Sequence, residues 1–304
     1  MNRDDRDRDS VDRWVVRGLL FADNRFERLP GFTIADVPAT DDRESPLRAE
    51  LLDSEGHVVL RVGIPRAVPC ADGPGADPSF RLASGVVPLP AKAAAARFLV
   101  DDVVVEEYRF PEGEPVTAFT ALPADGASGR VTVAWESRHP SDTPLTSVAS
   151  YSSDDGASWQ PLGLPTDGSE VKVEVDLDAL AGGERCRVSV KTTDGVHTVT
   201  TVSEPFKLEL RPCVAMILAP GPGLVIAEGE TLHLQGQGYW LEEREPEFEA
   251  LFWSSSLAGA LGSGPVADVV GLEEGTHEIT LEAGEGDRAG RATVEVVVTP
   301  PSRG

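Results

Sequence analysis

The feature that most constrains this chain is the run SSDDGASW at residues 152–159, which lies between two segments of alternating apolar and polar residues. Asp and Ser close tight turns by bonding nearby backbone N–H groups, and Gly tolerates positive φ. Trp159 adds a large ring that can pack beneath the turn. The same pattern of a short alternating segment followed by a turn recurs along the chain. It predicts an all-β protein made of three tandem antiparallel β-sandwich domains.

Residues 12–112 are predicted to form the first β-sandwich domain. Strand-like patterns lie at residues 14–21, 47–52, 58–62, 97–100 and 103–106. Turns at Gly56 and at the pair Asp101 and Asp102 predict two hairpins. Residues 91–96 are rich in alanine, but the run is short and flanked by prolines, so a turn or brief bend is favoured over a helix.

A second domain is predicted over residues 113–211 and a third over residues 212–299, with residues 1–11 and 300–304 as tails. The boundaries fall at a stretch rich in Pro, Gly and Glu near residue 112 and at Pro212. Strand-like patterns in these two domains lie at residues 130–135, 146–151, 171–175, 186–191, 196–202, 214–218, 231–236, 251–255, 277–281 and 292–298. One face of each strand should be buried and the other wet.

The charge balance limits the partners that this chain can bind. It has 51 Asp and Glu against 27 Lys and Arg, a net charge of −24. Such a surface repels nucleic acids and anionic membranes. No apolar run reaches the roughly 18–20 residues that cross a bilayer, so membrane insertion is not expected. Because the charged N-terminus lacks the apolar core of a signal peptide, the compartment stays open between the cytoplasm, export by another route and trimming of a longer precursor.

Reactive side chains are sparse and scattered. Cys70, Cys186 and Cys213 are too few and too widely spaced for a disulfide framework, and buried thiols are expected. A Cys186–Cys213 bridge stays open as an alternative. The five histidines lack metal-binding spacing, and no serine lies in a nucleophile elbow. We therefore expect no catalytic residue, no zinc site and no cofactor.

The second and third predicted domains carry motifs that can be compared with known families. In the second, these are Trp135 and residues 144–146, 151–159, 177–182 and 187–195. They resemble a fibronectin type III-like module of large bacterial surface and secreted proteins. In the third, residues 217–220, 229–230, 234–236, 253–257, 261–264, 275–277 and 293–298 resemble a PKD-like or immunoglobulin-like module of the same proteins. The first domain more loosely resembles the β-domain that often precedes them.

The resemblance implies a non-catalytic, extracellular array of β-sandwiches that serves as a spacer, adhesive or accessory module. Two loops of this chain differ in sequence from the corresponding loops of these families. Relatives often carry an acidic loop suited to calcium after the first Trp strand, whereas residues 137–144 keep only Asp142 as a carboxylate. In the third domain, Arg244 competes for the carboxylates of the acidic run at residues 242–249. A solvated loop is favoured there, and calcium remains an alternative cofactor.

These two loops are the predicted partner-binding sites. The first contributes His139 and Asp142. The second contributes Tyr239, Trp240 and Phe248, which would form a contact patch if exposed, or would otherwise cap the end of the sandwich.

We predict a structural or protein-interaction scaffold, not an enzyme, that presents loops to a partner protein. The alternatives are a carbohydrate-binding protein and an accessory subunit of a separately encoded hydrolase. Residues 152–159 also fit the Asp-box pattern, for which turn stabilisation is favoured over sugar binding.

Overall fold

The computed structural model describes residues 12–35, 37–66, 80–242 and 250–300. In these ranges the chain forms sheets of mostly antiparallel strands and two short 3₁₀ turns, at Leu177–Ala179 and Gly286–Arg288. The predicted all-β fold of antiparallel sheets is confirmed. No helix in the described ranges is long and apolar enough to cross a membrane.

The first pair of sheets packs around Trp14 and Phe98, both fully buried. Its strands are β1 (Arg13–Phe21), β2 (Phe26–Ile34), β3 (Leu47–Leu52), β4 (Val58–Gly63), β5 (Phe80–Pro88), β6 (Ala95–Val100) and β7 (Val103–Arg109). One sheet has the order β2-β1-β5 and the other the order β4-β3-β6-β7. Both predicted hairpins are present, with Gly56 at φ +86° and Asp101 and Asp102 at φ +49° and +64°.

The second pair of sheets packs around Trp135 and Tyr151. Its strands are β8 (Val116–Ala121), β9 (Arg130–Arg138), β10 (Thr146–Ser152), β11 (Gln160–Pro161), β12 (Thr166–Asp167), β13 (Glu170–Asp176), β14 (Gly183–Thr193), β15 (Thr198–Val202) and β16 (Phe206–Leu208). One sheet has the order β13-β9-β8 and the other the order β11-β10-β14-β15, with β12 paired to β10 and β16 paired to β14.

The third pair of sheets packs around Trp253 and Leu281. Its strands are β17 (Val214–Ala219), β18 (Leu224–Ala227), β19 (Leu232–Tyr239), β20 (Leu251–Ser255), β21 (Gly259–Ser263), β22 (Val266–Val269), β23 (Gly275–Ala283) and β24 (Gly290–Thr299). The sheets have the orders β17-β19-β22 and β18-β24-β23-β20-β21. Strand β18 pairs with β24 in parallel.

The structure corrects two expectations from the sequence. The strand predicted from residue 196 begins at Thr198, because Val196 leaves the hairpin and is buried in the core of the first sheet pair. The alternative of a disulfide is wrong, since Cys186 and Cys213 are not bridged to each other and both are buried. Cys70 lies outside the described residues.

Candidate functional site

The first predicted partner loop is divided between a buried and an exposed residue. The His139 side chain is fully enclosed, and its Nε2 lies 3.2 Å from Oδ2 of Asp194. Its Nδ1 accepts a hydrogen bond from the Ser141 N–H at 3.1 Å, whereas its enclosed Nε2 makes no hydrogen bond, so His139 and Asp194 are in close contact without one. Asp142 is exposed in the following turn at φ +52°. Partner binding by Asp142 stays a prediction, whereas His139 has no side-chain surface to offer.

The second predicted loop begins with half-buried aromatic residues. Tyr239 ends β19, and Trp240 packs against the core of the third sheet pair. The Arg288 guanidinium lies 4.4 Å from the centre of the Trp240 ring. Trp240 therefore caps the end of this sandwich. Phe248 lies outside the described residues, and partner binding by Tyr239 stays a prediction.

Asp194 is the centre of a buried polar cluster between β14 and β15. Its Oδ2 lies 2.8 Å from Nδ1 of His197, and its Oδ1 accepts the N–H groups of Val196 and His197 at 2.8 and 2.7 Å. Burial acts to raise the pKa of Asp194, but these hydrogen bonds outweigh it and hold the pKa below its usual value. The hydrogen bond to Asp194 in turn raises the pKa of His197, although burial opposes this.

Residues 193–198, which we call the junction turn, enter one end of the first sheet pair. Val196 is fully buried among the core side chains of that pair. Trp14 Nε1 donates to the carbonyl of Gly195 at 2.8 Å, and the Tyr108 hydroxyl donates to the carbonyl of Asp194 at 3.3 Å. Gly195 adopts φ +99°, a conformation that favours glycine.

Strand β2 forms the other side of this junction. The Thr33 N–H donates to Oγ1 of Thr198 at 2.8 Å, and the Thr33 hydroxyl donates to the carbonyl of Val196. Oγ1 of Thr193 donates to the carbonyl of Gly31 at 3.0 Å. The edge of β2 is thereby paired with the junction turn, so one continuous set of contacts joins the first and second sheet pairs.

A second junction joins the second and third sheet pairs through Glu242. Its Oε1 accepts the N–H groups of Gly182 and Arg211 at 3.0 and 2.8 Å. Its Oε2 lies 2.7 Å from the Arg288 guanidinium, which also donates to the carbonyl of Arg211. Burial acts to raise the pKa of Glu242, but the two backbone hydrogen bonds and Arg288 lower it.

The Glu242 side chain is only 16% exposed. The expected solvated loop is therefore wrong for this residue, because its carboxylate is used to hold two sheet pairs together. The remainder of the acidic run, residues 243–249, lies outside the described ranges.

The Asp-box run is held together by its own side chains. Oδ1 of Asp154 accepts the Ser158 N–H at 2.8 Å, and Oδ2 accepts the Ser158 hydroxyl at 2.6 Å. Asp155 is paired with Arg185 and Arg187 at 2.7 and 2.5 Å, which lowers its pKa. These contacts stabilise the turn, as favoured from the sequence.

The chemistry available at the Asp194 cluster is proton exchange. His197 lines an open cleft of about 710 Å³, together with the acidic residues Glu107 and Glu112. No group of three or more His, Cys, Asp and Glu side chains within the described ranges is arranged to hold a metal ion. The cluster can therefore respond to pH through His197, whose ring reaches the cleft.

Comparisons with solved structures give distant similarity. The fibronectin(III)-like modules of Clostridium thermocellum CbhA are 15% identical, with 61% of this chain and 95% of that chain covered at a TM-score of 0.26. Dpr2 Ig1-Ig2 in complex with DIP-Theta Ig1-Ig3 is 12% identical, with 62% and 100% covered at 0.26. Salmonella alpha-2-macroglobulin reacted with methylamine is 10% identical, with 94% and 23% covered at 0.25.

Similarities with such low TM-scores support no conclusion about this chain. Its fold is defined by its own strands and their pairing registers. No protein-family model and no curated protein matches this chain.

Sequence reasoning missed the two residues on which the junctions depend, Asp194 and Glu242. Asp194 lies in a Thr-Asp-Gly turn that reads as an ordinary hairpin, and its partner His139 is distant in sequence. Glu242 lies at the start of an acidic run that reads as a solvated loop. The local sequence feature that pointed to burial near Glu242 was Trp240, two residues earlier, because a large aromatic side chain favours a packed environment.

Proposed function

We propose that this chain is a non-catalytic scaffold of three β-sandwich domains, bounded at residues 12–112, 113–211 and 212–299, which holds surfaces for a partner protein at fixed separation. The observation that carries the proposal is the first junction, where Val196 of one sheet pair is fully buried in the core of another. A residue shared in this way fixes the position of the two pairs relative to each other.

The contacts at the first junction support a stiff connection. Separating the sheet pairs would expose Val196, whose burial stabilises by about 2 kcal/mol. It would also break the hydrogen bonds that Trp14 and Thr33 make to the junction turn, each contributing about 0.5–1.5 kcal/mol. A partner that contacts both sheet pairs then meets a preorganised surface, which reduces the entropy lost on binding.

The chemistry of the chain favours a protein as the partner. Its net charge of −24 repels nucleic acid. The exposed Asp142 and the half-buried Tyr239 remain the proposed contact residues, since both lie at the ends of sheet pairs. Loops held at the ends of a rigid sandwich are common binding elements.

Affinity capture with chemical cross-linking, from an extract of the source cells, tests the proposal. We expect the full chain to retain a specific protein partner, and a folded Val196→Ala variant to retain less of it. The control is Val202→Ala, because Val202 lies in the same hairpin but is 44% exposed. Capture that is equal for both variants would argue against a role for the fixed geometry.

The non-catalytic part of the proposal has its own test. Turnover of any substrate by the purified chain, lost when one acidic or histidine residue is changed without unfolding, would overturn it.

A further inference from the structure

A narrow apolar groove lies beside the first junction, between β2 and the strands β10 and β14. Its volume is about 220 Å³. Its apolar walls are Pro30, Phe32, Ile34, Val148 and Pro165. Since the walls come from both sheet pairs, the groove exists only while the junction is closed.

The charges that line the groove are opposite to those of the chain as a whole. Its charged lining residues are Arg17 and Lys191, both cationic, whereas the chain carries a net charge of −24. Neither cation has a carboxylate partner in the described part of the chain. In a protein with nearly twice as many acidic as basic residues, two cations without carboxylates at one apolar groove form a local site for negative charge.

Arg17 is held in place by contacts with β2, but not all of its N–H groups have a hydrogen-bond acceptor. Its Nη2 donates to the carbonyl of Pro30 at 3.1 Å, and its guanidinium lies 5.6 Å from the centre of the Phe32 ring. Its Nε is enclosed and makes no hydrogen bond. A buried donor without an acceptor is destabilising. A carboxylate in the groove would pair with the Nη groups of the same guanidinium through a charge-assisted hydrogen bond.

The size of the groove limits what can enter it. An apolar cavity of about 150 Å³ holds one benzene molecule. A groove of about 220 Å³ therefore accommodates one large apolar side chain and little more.

We propose that this groove binds an extended segment of a partner protein in which one large apolar side chain is flanked by carboxylates. The apolar side chain enters the groove, and the carboxylates pair with Arg17 and Lys191. This inference rests on the proposed function as a partner-binding scaffold. It adds a second contact site, whose lining includes neither Asp142 nor Tyr239, and the chemistry of the segment recognised there.

Fluorescence anisotropy with the full chain tests the specificity. The probe is a labelled, end-blocked peptide with a single leucine flanked on each side by two glutamates. One control peptide carries lysines in place of the glutamates, and the other carries serine in place of the leucine. We expect the glutamate–leucine peptide to bind at least about tenfold more tightly than either control, and to weaken as salt screens the charges.

Variants of the chain locate the binding. Lys191→Glu reverses an exposed charge at the groove and is expected to weaken binding of the probe at least about tenfold. Val148→Asp places a carboxylate in the apolar wall and is expected to do the same. The control is Lys92→Glu, an exposed lysine outside the groove, which should leave binding unchanged.

Absence of binding by the glutamate–leucine peptide would overturn the proposal, as would equal effects of Lys191→Glu and Lys92→Glu. A cross-linked partner that is retained equally by the wild type and by Lys191→Glu would overturn the groove alone and leave the scaffold function intact. Failure of the full chain to retain any partner would overturn the scaffold function itself.

Discussion

Asp194 gives the first junction a dependence on pH through its contact with His197. The raised pKa of His197 means that its stabilising contact is fully present below about pH 6.5 and is lost as pH rises through the folded-state value. The lowered pKa of Asp194 means that its contribution is present above about pH 3.9 and is lost as pH falls through the folded-state value. The junction should therefore be most stable between these two limits.

We expect the melting temperature of the chain to fall as pH rises from 6 to 8, and His197→Gln to remove this component. His57→Gln serves as the control, because the His57 side chain is 71% exposed. Differential scanning calorimetry across pH 4 to 9 measures the effect. The same slope between pH 6 and 8 in the wild type and His197→Gln would show that the Asp194–His197 pair does not stabilise the fold.

Individual turn residues were predictable from sequence because their conformation is set locally. Asp101 and Asp102 occupy positive φ between two strands, as short polar residues in tight hairpins do. The contact of Asp194 with His139 was not predictable, because it depends on how the ends of β9 and β14 meet in the folded sandwich. No periodicity in a single strand contains that information.

Strand β2 was not predicted from the sequence, and its residues show why. Pro30 and Gly31 interrupt its alternating pattern, and a register shift between Val15 and Arg17 marks a β-bulge opposite them. Proline is tolerated in sheets mainly on edge strands and at bulges, and β2 is both an edge and bulged. The junction turn then covers part of this edge, which protects it from pairing with other chains.

Replacement of Gly31 by alanine tests how closely this edge is packed. An added Cβ would lie 2.5 Å from Trp14 Nε1 and 2.7 Å from the carbonyl of Gly195, so β2 and the junction turn must move apart. We expect Gly31→Ala to reduce the free energy of unfolding by about 1–3 kcal/mol, measured by urea denaturation. The control is Gly163→Ala, because no atom lies within 4 Å of the added Cβ and the change should be small.

Burial of Val196 couples two parts of the molecule that are distant in sequence. We expect Val196→Ala to reduce the free energy of unfolding by about 2 kcal/mol, because two methyl groups leave a closed core. The effect should reach β1 and β7 as faster amide hydrogen exchange. Val202→Ala should change exchange little, and faster exchange confined to β14 and β15 would contradict a shared core.

The two junctions are stabilised by different kinds of interaction, so mutations should weaken them in different ways. The first depends on apolar burial around Val196, whereas the second depends on one carboxylate with three donors, from Gly182, Arg211 and Arg288. The length of the segments between domains would not reveal which side chains lock these junctions. That information lies in contacts between strands of different sheet pairs.

Loss of the Glu242 carboxylate should therefore loosen the third sheet pair while each core remains intact. In Glu242→Ala the three donors lose their acceptor, so we expect a larger radius of gyration by small-angle X-ray scattering and a cost of about 2 kcal/mol. Glu282→Ala removes the exposed pair with Arg291 and should cost less than about 1 kcal/mol without a change in size. An unchanged radius of gyration in Glu242→Ala would mean that Trp240 packing and the backbone hydrogen bonds around Cys213 hold this junction without the carboxylate.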